Sequence, residues 1–301
     1  MNYATGEIAD QPNCWQQAAS IAATDTVAAA LPARGERVAI VGCGTSLYMA
    51  QACASLREAT GQGETDAFPA SEFPTGRRYD RLVAITRSGT TTEVLRVFDG
   101  LDADQRSTAI TTGDRLPAAS LSRSAVVLDF ADEQSVVQTR FASTVLALWR
   151  VHRWESPTAP TADAKKVLAR RLPSAYLERE QFTFLGTGWT VGIANEAALK
   201  VREASRSWAE SYPAMEFRHG PISIIDHRSL VWIFGPAPPG LIEDLTGTDC
   251  AVVQSKIDPL ASLIQAQRLA VAIAERKGLD PDAPRSLSRS IVLPAAGSLS
   301  R

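Results

Sequence analysis

Glu196, Lys200 and Glu203 fall at i, i+4 and i+7 in the stretch N-E-A-A-L-K-V-R-E-A-S. On a helix that spacing sets two carboxylates and an ammonium on one face. Sixteen residues after Glu203 comes His219, inside Arg-His-Gly-Pro, where Gly220 and Pro221 break regular structure. Acid and amine groups followed by a loop histidine form a proton-transfer set. The same spacing also suits a solvated, ion-paired face worth only about 0.2–0.5 kcal/mol per pair, with a surface histidine beyond it. Spacing alone leaves both readings open.

The elements around these residues narrow the choice. Phe182-Thr183-Phe184-Leu185 is an apolar run ending in Gly186-Thr187-Gly188, and an Ala-rich stretch follows, which reads as strand, tight turn, helix. Ile193, Ala197, Leu199 and Val201 are left for packing. An earlier unit has the same plan: Val38-Ala39-Ile40-Val41 is a buried strand, Gly42-Cys43-Gly44-Thr45-Ser46 the turn, and the helix after it ends before Gly61. Such a turn aims free backbone N–H groups and the positive end of a helix dipole at one place, which suits an anion. Leu47 occupies the third glycine position of G-x-G-x-x-G, so the match to a dinucleotide fingerprint is weak. A further turn after Leu82-Val83-Ala84-Ile85 reads T-R-S-G-T-T-T-E, with five hydroxyls between Thr86 and Thr92. Hydroxyls with backbone N–H groups hold phosphate without a lysine. An ordinary helix cap is the alternative, and the recurrence of Thr45-Ser46 in the same setting favours phosphate.

Taken in order, residues 1–36 read as a helical segment with an extended start and a helix after Pro12. Residues 108–112 and 125–128 read as strands, and Glu133 to Trp154 as one long helix. The Pro/Thr/Ala-rich stretch 155–165 is expected to be a linker. After a connecting helix the plan repeats: Gly186-Thr187-Gly188 echoes Gly42-Cys43-Gly44 at an offset of 144 residues, and Leu230–Gly235 echoes the strand at Leu82. There Pro236-Ala237-Pro238-Pro239-Gly240 has replaced the hydroxyls. Residues 250–254 read as a strand, 260–277 as a helix, and Ile291-Val292-Leu293 as a last strand before a frayed terminus. The expected organisation is an N-terminal helical segment (1–36), a first α/β unit (37–154) carrying the anion turns, the linker (155–165), and a second unit (166–301) carrying Glu203 and His219. Alternating strands and helices imply parallel sheets with ligands at the strand C-terminal ends.

The totals exclude other classes. With 45 % hydrophobic residues, 21 % charged residues and a net charge of −2, the composition is globular and lacks the basic density of a nucleic-acid or membrane-surface binder. No apolar run has the length of a membrane span, and the N-terminus lacks the parts of a signal peptide, so a cytoplasmic protein is expected. Cys14, Cys43, Cys53 and Cys250 form no C-x-x-C pair and there are three histidines, which indicates neither a zinc site nor a disulfide framework. All four cysteines are expected to be reduced, Cys43 and His152 to be structural, and no metal or cofactor to be required.

In order along the chain, E-I-A-D-Q-P, V-G-C-G-T-S, T-R-S-G-T-T-T-E, S-V-V-Q-T-R, E-A-A-L-K-V-R-E, A-E-S-Y, R-H-G-P and D-P-D-A-P-R-S-L resemble the double sugar-isomerase-domain (SIS) family, as in the isomerase half of glucosamine-6-phosphate synthase. The resemblance covers nearly the whole chain. It implies two tandem flavodoxin-like, three-layer α/β/α units acting on a sugar phosphate. Ser46, Ser88 and Thr91 would bind the phosphate. Gly44, Thr45, Thr86, Arg87, Val136 and Ser288 would complete the pocket. Glu203 would move a proton between C1 and C2, Glu196 and Lys200 would support it, and His219 would assist ring opening from the partner subunit of a homodimer with shared active sites. The resemblance also implies a metal-free, cofactor-free phosphosugar isomerase or amino-sugar-phosphate deaminase, with a simple aldose–ketose isomerase or a non-catalytic sensor as alternatives. Two departures stand out. The sequence shows no glutamine-hydrolysing domain, so ammonia release from glutamine is not expected. The family's imine-forming tail lysine falls on Arg289, which stays protonated and forms no imine.

Overall fold

The computed structural model describes residues 2–152 and 155–294. Along the chain run α1 (Tyr3–Ala22), α2 (Asp25–Ala30), β1 (Val38–Gly42), α3 (Thr45–Ala59), β2 (Thr65–Pro69), β3 (Arg81–Ile85), α4 (Thr92–Asp99), β4 (Arg106–Thr111), α5 (Pro117–Leu121), β5 (Ser124–Val127) and α6 (Arg140–His152). There follow α7 (Thr158–Ala169), α8 (Ser174–Leu177), β6 (Gln181–Gly186), α9 (Thr190–Ser205), β7 (Trp208–Pro213), β8 (Ser229–Phe234), α10 (Leu241–Thr246), β9 (Ala251–Gln254) and α11 (Pro259–Arg276). The strands form two parallel sheets, ordered β2-β1-β3-β4-β5 and β7-β6-β8-β9. Both begin with the same crossover pattern, so the tandem α/β repeat expected from the sequence is the architecture.

Central strands are buried on both faces, which is why they read as unbroken apolar runs. Ile40, Val83 and Ile110 face a large core shared by the two sheets, where they meet Phe184, Trp232, Ile193 and Leu263. Their neighbours Val41, Leu82, Ala84 and Ala109 point to the opposite face and pack on Val94 and Phe98 of α4. Leu185, Val231 and Ile233 do the same on the second sheet, with Leu241 of α10.

The repeat extends to the turns. A Cβ on Gly42 would lie 2.6 Å from the Ser46 carbonyl carbon, and one on Gly186 would lie 2.3 Å from the Thr190 carbonyl oxygen. Each glycine lets the following helix start against its strand. The equivalent helices α3 and α9 then pack on each other across the seam between the repeats. Gly192 allows a close approach in that crossing, since a Cβ there would come 2.4 Å from the Tyr48 carbonyl oxygen and 2.8 Å from the Ala52 nitrogen.

Several elements depart from the sequence reading. Helix α1 begins at Tyr3, so the start is not extended, and Pro12 lies inside it. The Ile8 carbonyl, which a residue other than proline would have engaged, accepts from Gln11 Nε2 at 3.2 Å. Helix α6 begins at Arg140 rather than at Glu133. Glu133 is consumed as its cap, because Oε1 accepts from the Thr139 and Arg140 N–H groups at 2.5 and 2.8 Å. The expected continuation of that helix through Arg153 and Trp154 lies outside the described residues. Most of the expected linker is helix α7, packed on α11 and α1. Strands β2 and β7 were not anticipated; both are edge strands without an apolar run or a period-2 pattern (T-D-A-F-P and W-A-E-S-Y-P). Ile291-Val292-Leu293 is not a strand but an exposed, extended segment lying on the start of α4, where Thr92 N donates to the Ile291 carbonyl at 3.1 Å. The frayed end expected after it falls outside the described residues from 295 onward.

After α11 the chain returns to the first unit. The Asp282 carboxylate accepts from the Tyr3 and Ala4 N–H groups at 2.6 and 2.7 Å, capping α1, and the Asp282 carbonyl accepts from Val136 N at 2.9 Å.

Replacing Gly192 by alanine adds helix propensity but forces α3 and α9 apart at backbone atoms. The expected result is a loss of about 1–3 kcal/mol in urea unfolding, against the gain alanine brings in an open helix.

Candidate functional site

Helix α9 presents Glu196, Lys200 and Glu203 toward α3, and burial decides between the open readings. Glu196 and Lys200 are 0 and 1 % exposed and Glu203 keeps 20 % of its side chain in contact with solvent, so this is no solvated face. Ile193, Ala197 and Val201 pack as expected, while Leu199 is half-buried. Lys200 Nζ makes a short ion pair with Glu203 Oε2, lies 3.6 Å from Glu196 Oε1, and donates to Thr45 Oγ1 at 2.9 Å. The last contact crosses from the second repeat to the first residue of α3 in the first. One ammonium thus joins the acid cluster of one unit to the glycine turn of the other.

Both Glu196 oxygens are buried without a hydrogen-bond partner. At 3.6 Å the Lys200 ammonium is an ion-pair neighbour rather than a donor. Burial pushes the Glu196 carboxyl up to about 8; the Lys200 charge opposes this and the Glu203 charge adds to it. For Lys200, burial favours the neutral amine, but the charges of Glu196 and Glu203 outweigh it and the net shift is upward. At neutral pH the cluster therefore holds Lys200 as a cation opposite Glu203, with Glu196 mainly a neutral acid. That charge assignment leaves the buried set without net charge, which is the inexpensive arrangement in a low dielectric.

The two hydroxyl-bearing turns meet in a small cleft of about 70 Å³ lined by Ser46, Thr86, Arg87, Ser88 and Thr91, with Cys43, Gln138 and Arg289. Gly44, at φ 55°, turns the chain into α3 and so places Thr45 and Ser46 at its first positions. Thr86 is buried and its hydroxyl accepts from Gly89 N at 3.2 Å, shaping the second turn. Ser88 Oγ accepts from Thr90 N at 3.3 Å and stands 3.4 Å from Thr91 Oγ1 at the start of α4. Arg87 is present as a lining group but its guanidinium is committed elsewhere. Nη1 donates to the Ser135 carbonyl at 3.0 Å and pairs with Glu133 at 3.4 Å, and Nη2 donates to the Val136 carbonyl at 3.2 Å. Val136 therefore stands beside the cleft, in a loop that Arg87, Asp282 and Glu7 hold in place. The Glu7 carboxylate accepts from Gln134 N at 2.5 Å.

Two expected residues stand outside the cleft of this chain, and for His219 the expectation was a role in the site of a partner subunit. His219 is exposed at the end of a 3₁₀ turn, Glu216–His219, and among the described residues no hydrogen bond or ion pair links it to Glu203 or to the cleft. Ser288 is exposed and donates to the Ser290 carbonyl at 2.9 Å, and its neighbour Arg289 takes the place at the cleft. Gln138 was not singled out from the sequence, although it lies in S-V-V-Q-T-R. Cys43 reaches the cleft as a thiol, since burial, then the Glu93 charge, pushes it up to about 11, and it is no nucleophile at neutral pH. None of the four cysteines, all among the described residues, is in a disulfide. A larger, open groove bordered by Arg37, Tyr79, Arg96 and Arg106 contains none of the residues named for the cleft or the acid–amine set. Among the described residues, no group of His, Cys, Asp and Glu is arranged to hold a metal, and no helix is long and apolar enough to cross a membrane.

No protein-family model matches this chain. Over 86 % of its length it is 27 % identical to a glutamine–fructose-6-phosphate aminotransferase of Thermosynechococcus vestitus, of which the match covers 52 %. It is 26 % identical to the Campylobacter jejuni protein of the same name, with the same coverages. The chain therefore spans about half the length of the curated relatives it matches. Among solved structures it is similar to glucosamine-6-phosphate deaminase from Thermotoga maritima, with a TM-score of 0.79, 24 % identity, and coverage of 97 % of this chain and 100 % of the other. Tagatose-6-phosphate ketose/aldose isomerase from Escherichia coli superposes with a TM-score of 0.78 at 18 % identity, covering 97 % of each chain. At these identities the structures share the fold.

The Glu196 carboxyl generates a stability prediction. Its folded pKa of about 8 lies above the unfolded value of 4.5, so its contribution is fully present below about 4.5 and is lost as pH rises through 8. Glu196→Gln removes that loss. Calorimetric melting of both proteins at pH 5 to 8 is expected to show the variant gaining on the parent as pH rises, by on the order of 4 kcal/mol across the window. Parallel melting curves would contradict the assignment of a protonated Glu196.

Proposed function

We propose, from the premise that this chain is a homologue of the glutamine–fructose-6-phosphate aminotransferases and carries the double sugar-isomerase fold, that it moves a proton between C1 and C2 of a 6-phosphorylated amino or keto sugar. The observation that carries the reading is the Lys200 contact: the carboxylate suited to act as base is joined, through one ammonium, to the turn that opens the phosphate cleft. A single sugar phosphate anchored at Ser46, Ser88 and Thr91 extends from there toward Glu203.

In this reading the substrate reacts as the open chain. Glu203 removes the proton at the carbon next to the carbonyl or imine and returns it to the neighbouring carbon, through an enediol or enolamine. With an amino sugar the enolamine becomes a ketimine, and water releases ammonia and a ketose phosphate. With a hydroxyl sugar the same transfer interconverts aldose and ketose. Lys200 keeps the base oriented and balances its charge. Arg289 forms no imine, so the carbonyl itself is the electron sink. His219 serves ring opening only if a second copy presents it, which is the basis for proposing a homodimer with shared sites.

The test is incubation with glucosamine 6-phosphate, galactosamine 6-phosphate and fructose 6-phosphate, following ammonia and ketose together. Ammonia with ketose phosphate assigns a deaminase, and ketose without ammonia a simple isomerase. Glu203→Gln is expected to lower turnover about 10²–10⁴-fold while fructose 6-phosphate still raises the melting temperature. Undiminished turnover in that variant would remove Glu203 from the reaction.

A further inference from the structure

We propose that Arg289 is the cationic ligand of the substrate phosphate in the cleft, an inference that rests on the reading of this cleft as a phosphosugar site. A phosphate monoester carries about −1.5 to −2 charges at neutral pH, whereas the turns that receive it offer hydroxyls and backbone N–H groups. Two arginines line the cleft. Arg87 is unavailable as a charge donor. It is 5 % exposed, its guanidinium is spent on two main-chain carbonyls, and Glu133 already neutralises it.

Arg289 stands differently. Its guanidinium donates to the Glu133 carbonyl and pairs with Asp132 Oδ1, with the two side chains 39 and 47 % exposed. An ion pair that open to water is worth about 0–1 kcal/mol, so an arriving dianion displaces it at little cost. The backbone carrying Arg289 is meanwhile fixed against the same turn that holds the phosphate. Thr90 Oγ1 donates to Ser290 Oγ at 3.0 Å, and Leu293 N donates to Thr92 Oγ1 at 2.8 Å. The tail therefore delivers a planar fork of N–H donors to the opening of the cleft, at the sequence position where the resemblance places a lysine. A guanidinium fits a phosphate bidentately, and its permanent charge suits binding rather than imine chemistry.

The test is calorimetric titration of inorganic phosphate and fructose 6-phosphate into the full chain and four variants. Arg289→Gln is expected to weaken both ligands about tenfold, and Arg289→Lys to restore part of the loss. Asp132→Asn, which releases the guanidinium, is expected to tighten both about two- to fivefold. In turnover, Arg289→Gln should raise KM more than it lowers kcat. Ser88→Ala serves as the reference for the cleft. If Ser88→Ala loses phosphate and Arg289→Gln does not, the assignment of Arg289 is overturned while the phosphosugar reading stands. If the unaltered chain binds neither probe, that reading itself fails. A loss confined to kcat would put Arg289 at the reacting carbons and also overturn the proposal. Should Arg289→Gln not fold, Asp132→Asn decides: unchanged or weakened phosphate binding contradicts a guanidinium released toward the ligand.

Discussion

One buried ammonium organises this molecule. Lys200 is 1 % exposed, and a lone charge at such depth would be expelled or neutralised. It persists because Glu203 meets it directly, Glu196 stands close by, and the Thr45 hydroxyl completes its coordination from across the seam. The contact therefore exists only if α3 and α9 approach closely, which makes the glycine at 192 as much a part of the site as the charges. Sheets, seam and site depend on each other through this single side chain.

The division of labour between the repeats follows from the same geometry. The hydroxyl-rich turns belong to the first unit and the acid–amine helix to the second, and neither half contains both. The shared core packs Ile40 and Val83 of one sheet in the same cluster as Phe184 and Trp232 of the other. The tail then returns from α11 to cap α1 through Asp282, and its Ile291 lies against the start of α4. Relative displacement of the halves is resisted at three places, so the distance between the hydroxyl turns and the carboxylate is fixed by packing rather than by a loop.

Much of this was legible in the residues. Central strands announced themselves because burial on both faces leaves an unbroken apolar run, and the Gly42 and Gly186 turns marked where each helix begins. The i, i+4, i+7 spacing placed the acid–amine set on one helical face. What escaped was set by partners distant in the chain. The edge strands β2 and β7 carry no period-2 pattern of polar and apolar residues, and look like loops until a neighbour pairs with them. Glu133 reads as a helix residue, and only its capping bonds to Thr139 and Arg140 reveal it as the stop before α6. The Lys200–Thr45 contact spans 155 positions, and nothing local to either residue signals it. Arg289 was visible as a departure from a pattern, but its place beside Ser88 and Thr91 emerges only when the tail folds back.

The proline-rich turn after β8 breaks the symmetry of the two units. In the first unit the corresponding turn, Thr86 to Thr92, supplies five hydroxyls. In the second, Pro236, Pro238 and Pro239 remove three main-chain donors, and Arg218 Nη1 occupies the Pro239 carbonyl at 3.0 Å. However symmetric the two sheets look, the second turn does not repeat the hydroxyls of the first, and the acid–amine set stands on α9 of the second unit.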